Sequence, residues 1–248
     1  MDPEFSYCKN CGEETINAYC HHCGQRSSVY KVTFRETFQD LADNLLSISA
    51  PIIITLKMLV LHPGSLFRDY LSGKRKKYYK PISFFILTTV FYLFIRWAID
   101  FDFYGNITVP VNDTQAGSDL FVQAGDYFFQ NIKSLAFILV FTLAVSMKIF
   151  FRKEYTLVEF IAVSFYLNGI YSLLATINLL YIQYINVNIR YLAILAMWIY
   201  FIWSMILFFP KKSLRTGLKS LVAYPLAYVF YAMVAYGLSF LIVLIRES

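Results

Sequence analysis

Cys8, Cys11, Cys20 and Cys23 are the only cysteines in this chain of 248 residues. Their pattern, C-x2-C-x8-C-x2-C, is two tight turns that each aim a pair of sulfurs at one point. Four thiolates converging in this way close a tetrahedral site, and zinc is the ion such a structural site takes. Gly12 and Gly24 each follow the second cysteine of a pair and suit the positive-φ position that closes a knuckle. Redox CxxC chemistry uses one pair beside a βαβ unit, and no such unit is evident. His21 and His22 sit within the second pair and could stand in as ligands, but four sulfurs already fill the shell. A catalytic zinc would keep a position for water. The expected centre is therefore structural, with Cys8, Cys11, Cys20 and Cys23 as ligands. Thiolate ligation also expects a reducing compartment, since an oxidising one would turn the same residues into two disulfides.

A second group of residues with chemical potential is His62-Pro63-Gly64, then Arg68-Asp69-Tyr70, Gly73-Lys74-Arg75 and Lys80-Pro81. His62, Arg68, Lys74 and Arg75 can donate to a lipid phosphate or another anion. The plainer reading is that these charges only set orientation and that Pro81 opens a helix from its first position. A third group, Ser164, Asn168, Ser172 and Thr176, recurs every four residues, and Asn168 precedes Gly169. Asn168 is thus a candidate ligand contact at mid-bilayer, while helix packing is the plainer role for the row. Lys148 and Glu159 are placed to pair across a short turn. Tyr224, Tyr228 and Tyr231 share a helix face, and Ala223 and Ala227 offer a small-residue contact. No Walker loop, GxSxG, HExxH or dinucleotide-binding glycine pattern is present. Two of the three histidines lie in a knuckle, so catalytic activity is not expected.

The elements that position these residues read as membrane-spanning. Apolar residues make up 58% of the chain and charged ones 15%, against roughly 45–50% and 25% in soluble domains. Met1–Phe5 has the look of a vector-derived scar. Residues 6–25 form the expected zinc ribbon. Residues 26–80 hold a polar linker, an amphipathic helix from Thr33 to about Ile48 capped by Thr33 and Glu36, and an interfacial or re-entrant helix over Ile52–Leu61. Residues 81–248 form a five-span bundle, with spans at 81–99, 134–151, 156–182, 191–209 and 220–245, each near the ~20 residues a crossing needs. The fold class is an all-α membrane protein carrying a small metal head. Between the first two spans, Asp100–Asn131 reads as a solvated acidic loop with sequons at Asn106 and Asn112.

The net charge of +6 is spread in clusters at span ends rather than along a groove, so nucleic acid is not an expected partner. Lys74–Lys80, Arg152–Lys153 and Lys211–Lys219 fall on one side, which the positive-inside rule makes the cytosol. The expected orientation is N-terminus cytosolic and C-terminus external.

The motifs Cys8-Lys-Asn-Cys11-Gly12, Cys20-His-His-Cys23-Gly24-Gln25, His62-Pro63-Gly64 and Gly73-Lys74-Arg75 before Lys80-Pro81 resemble an uncharacterised family of bacterial inner-membrane proteins. That family joins a CxNCG…CxxCGQ ribbon to a multispanning domain of unknown function. The resemblance implies a cytosolic zinc ribbon in a bacterial inner membrane and no reaction. The five-span layout is also similar to that of the Yip (Ypt-interacting protein) family. The functional expectation is an integral membrane protein that binds or moves a lipid or a small anionic or amphipathic molecule, with the ribbon as docking or gating module. The alternative is a membrane scaffold or assembly factor that uses the ribbon to bind a cytosolic protein.

Overall fold

The computed structural model describes residues 6–15, 18–27, 50–100, 119–131, 136–185, 192–209 and 213–247. The expected amphipathic helix from Thr33, the sequons, and the cations Lys133, Arg190, Lys211 and Lys212 lie outside them.

The head is a pair of knuckles. Strands β1 (Ser6–Tyr7) and β2 (Glu14–Thr15) pair antiparallel around the first, and an antiparallel bridge joins Tyr19 to Arg26 around the second. The two obey one plan at an offset of twelve residues. Cys8 N donates to Glu13 O and Gly12 N to Cys8 O; Cys20 N donates to Gln25 O and Gly24 N to Cys20 O, all at 2.8 Å. Thr15 and Ser27, equivalent in this plan, meet through their hydroxyls at 3.0 Å. Gly12 and Gly24 have φ of 81° and 68°, the left-handed geometry a side chain disfavours. Arg26 and Ser27 therefore belong to the head as well, two residues past the expected 6–25.

The other elements among the described residues are helices: α1 (Ala50–Leu61), α2 (Pro63–Ser72), α3 (Pro81–Ala98), α4 (Asp119–Asn131), α5 (Ala136–Phe150), α6 (Leu157–Tyr184), α7 (Leu192–Phe208) and α8 (Ser213–Glu247). Pro63 and Pro81 both stand in first turns, where their missing N–H costs nothing. His62-Pro63-Gly64 is thus a corner between two helices rather than an end. The sequence pattern also misplaced α4, read as part of an acidic loop. Ala124 is fully buried and Phe128 packs on Tyr231 at 6.2 Å, a one-turn spacing that binds α4 to α8.

Three helices, Pro81–Ala98, Leu157–Tyr184 and Leu214–Arg246, are long and apolar enough to cross a membrane. The apolar parts of α5 and α7, Phe137–Phe150 and Leu192–Phe208, are shorter. The helix α6 is the central one: 72% of its apolar stretch is buried, against 33% in α3 and 22% in α8. Helix directions follow from the contacts. Thr89 meets Ser172, Phe85 meets Phe165, and Ile95 and Ile99 pack against Leu179 and Ile182, so α3 and α6 run parallel. Ser146 meets Ala223 and Leu139 meets Tyr231 and Ala235, so α5 and α8 run antiparallel.

Candidate metal centre and the segment that holds it

Each knuckle delivers its cysteines on a turn whose amides point inward. The Cys8 and Cys23 sulfurs lie 3.6 Å apart, as do those of Cys11 and Cys20, and all four fall within 4.8 Å of one another. Metal–sulfur bonds of about 2.3 Å at a tetrahedral angle need sulfurs roughly 3.8 Å apart. The four free thiols fit that donor set. Burial pushes the Cys8 thiol up, but the amides of Cys11 and Asn10 and the neighbouring thiols outweigh it and bring its pKa to about 7. The Glu13 amide lowers Cys11, yet burial and the three neighbouring sulfurs hold it at about 12. Four thiols this close shed their protons one after another, and a bound cation would let all four be thiolates together.

The head is bolted to the segment between α2 and α3. Gln25, 6% exposed, donates from Nε2 to Gly73 O at 2.8 Å. Its Oε1 accepts from Arg75 N at 3.2 Å and Lys76 N at 3.0 Å. From the other knuckle, Asn10 Oδ1 accepts from Lys77 N at 3.2 Å. Gly73 ends α2 in the left-handed conformation, φ 110°, with Gly73 N and Lys74 N closing onto Tyr70 O and Asp69 O. Asp69 then shapes the turn: its carboxylate accepts from Lys74 Nζ at 2.9 Å and Tyr78 OH at 2.8 Å, with Lys77 Nζ at 3.8 Å. Partial burial raises the Asp69 pKa, but these partners lower it further, leaving it below the usual carboxylate value. Burial and the Asp69 contact push the Tyr78 phenol up.

The structure separates the five candidate ligand contacts. His62 is exposed and caps α2 through its carbonyl, which accepts from Ser65 N and Leu66 N. Arg68 donates to the carbonyls of Leu207 and Phe208 and to Ser65 Oγ, so it fastens α2 to the end of α7. Lys74 pairs with Asp69, and Arg75 lies over the Tyr70 ring at 5.9 Å. Asn168 is buried in α6 and donates to Ser164 O at 2.9 Å. Ser172 and Thr176 likewise donate one turn back, to Asn168 O and Ser172 O. Phe84 fills the space over Gly169, and α6 continues unbroken through it. Glu159 and Lys148 do not pair. Glu159 completes a capping box with Thr156, while Lys148 Nζ donates to Arg152 O and Tyr155 O at 2.7 Å each. Local backbone groups satisfy both before either can reach across.

Fold and site together define a helical, membrane-type protein with a four-cysteine head positioned to hold a metal ion. Residues 51–93 match the family described as Protein of unknown function (DUF3667), a stretch that holds the His62 corner, the Asp69 turn and the start of α3 but not the cysteines. No curated protein and no solved structure matches the chain.

Proposed function

We propose that the protein is a non-enzymatic scaffold of the bacterial inner membrane, with five spans and a zinc head held on the cytosolic face to bind a protein partner. The observation that carries this reading is the Gln25 and Asn10 anchorage, which holds the head in a set pose over the threshold of α3. A set pose is what a docking module needs, and a module on a free tether would lack it. The filled surroundings of Asn168 and Gly169 favour a scaffold over passage through the bundle. Cations in the described residues support the orientation: Lys74–Lys77, Lys80, Arg152, Lys153, Arg215 and Lys219 lie at the helix ends on the side where the head docks, and Arg96 and Arg246 lie at the other ends.

The second reading, binding or movement of a lipid or small anionic molecule, draws on the same concentration of cations at one end. One experiment separates them. Protein extracted gently from native membranes, wild type and Cys20→Ser, is compared by native gel and native mass spectrometry with elemental analysis. A scaffold predicts about one zinc per chain and a larger assembly that disperses when the variant loses its metal. Zinc at background in wild type, or an assembly indifferent to its loss, would overturn it.

A further inference from the structure

A hollow of about 360 Å³ opens between the α5–α6 turn and the first turns of α8. Its cations are Arg152, Lys153, Arg215 and Lys219, opposed by the single carboxylate of Glu154. Phe151 and Phe209, stacked with centroids 4.9 Å apart, also line it. Lys219 is fixed in place, donating to Phe150 O at 2.6 Å and lying 5.5 Å from the centre of the Phe151 ring. Arg152, Lys153 and Arg215 are exposed, and no ion pair among the described residues engages them. Four like charges around one void repel one another unless an anion enters. Orientation in a membrane requires positive charge, but it does not require a cavity or stacked rings beside it.

The flanks of the hollow identify the anion. Exposed Val145 and Ile149 lie on α5, and exposed Leu214, Leu218, Leu221 and Val222 on α8. These apolar ledges would be wasted on a free phosphate but would receive acyl chains. We propose that the hollow seats the phosphate of an anionic glycerophospholipid, with its chains lying along α5 and α8. The cations and the Phe151 and Phe209 rings then form a headgroup seat at the water–lipid boundary. This inference stands independently of the scaffold reading, since it concerns different residues and a different partner.

The test uses the full-length protein reconstituted with phosphatidylglycerol and phosphatidylcholine and read by native mass spectrometry for retained lipid. Each cation removed should cost roughly fivefold in retained phosphatidylglycerol, and Arg152→Gln with Arg215→Gln about 25-fold. Arg152→Lys with Arg215→Lys should keep most of it. Lys57→Gln with Lys76→Gln removes equal charge from exposed positions elsewhere and should change little. If the double variant inserts poorly, the single variants carry the test. Equal loss from both pairs would mean diffuse attraction and overturn the site. Displacement of phosphatidylglycerol by inorganic phosphate, mole for mole, would assign the hollow to a free anion and overturn the lipid.

Discussion

Gln25 directs its amide to backbone groups 48, 50 and 51 residues away. Replacing it with Ala leaves Gly73 O and Arg75 N bonded to each other at 2.9 Å but strands Lys76 N, at roughly 1–3 kcal/mol if that group stays dry. Amide exchange at Lys76 should then speed up by about tenfold or more, with zinc content unchanged; unaltered exchange there would show that Gln25 does not hold the head. Asp69 makes a pH-dependent counterpart. Its carboxyl is held below the ordinary value of 3.8, so its contribution is present above that value and is lost as pH falls through the lowered one. The melting temperature of Asp69→Asn should lie below that of wild type near neutrality, and the gap should close as the medium is acidified below about pH 4. A gap that stays constant with pH would rule out the charged contact as its cause. The cysteine spacing and the glycines after it were legible because metal geometry constrains types at fixed intervals. Gln25 and Asp69 were not, because the partners of Gln25 are backbone atoms that carry no pattern in one sequence, and those of Asp69 (Lys74, Lys77 and Tyr78) are brought to it only by the turn at Gly73.

Among the elements, glycines show which helices have no room to give. A Cβ on Gly64 would fall on the backbone of Leu207 and Phe208, so α2 and α7 touch main chain to main chain, fastened beside that contact by Arg68. Gly237 in α8 has nothing within 4 Å. Gly64→Ala should cost about 3 kcal/mol or more, since a backbone cannot step aside as a side chain can. Gly237→Ala should be neutral or stabilise by up to roughly 1 kcal/mol. Thermal unfolding in detergent checks the pair, and equal melting temperatures would refute the close contact. The long apolar runs were legible as helices because lipid demands continuous hydrophobicity. The helix α4 was hidden by its acidic surroundings, and α2 by a His-Pro-Gly corner that imitates a stop. The polar row along α6 looked like a lining, yet Asn168, Ser172 and Thr176 bond back to their own helix, an outcome that periodicity alone does not distinguish from a cavity wall.

At the scale of the molecule, chain direction bears on the number of crossings. The helices α3 and α6 run the same way, so the chain returns between them. The helix α5, which runs against α8, is the more apolar of the two described helices in that interval, and α7 is the described helix between α6 and α8. The 15 and 17 residues of α5 and α7 span about 22 and 25 Å at 1.5 Å per residue, close to the ~30 Å hydrocarbon core. The expected outcome is five crossings. Single cysteines placed at Lys153 and Glu247 in a protein whose four native cysteines are serine should label from opposite faces of sealed vesicles. Labelling from one face would mean an even number of crossings between them. The two fastenings on the 51–93 stretch also differ in when they can close. The head and its dock at residues 73–77 leave the ribosome early, so the Gln25 contact is within reach before the first long helix is complete. Arg68 must wait for a carbonyl 139 residues later. Biogenesis thus has a fixed order, with the head settled first and the His62 corner locked only after α7 is made. A nascent chain arrested before Leu207 should already protect the Arg75 and Lys76 amides while leaving Arg68 open to guanidine-directed modification; protection of both at that length would reverse the order.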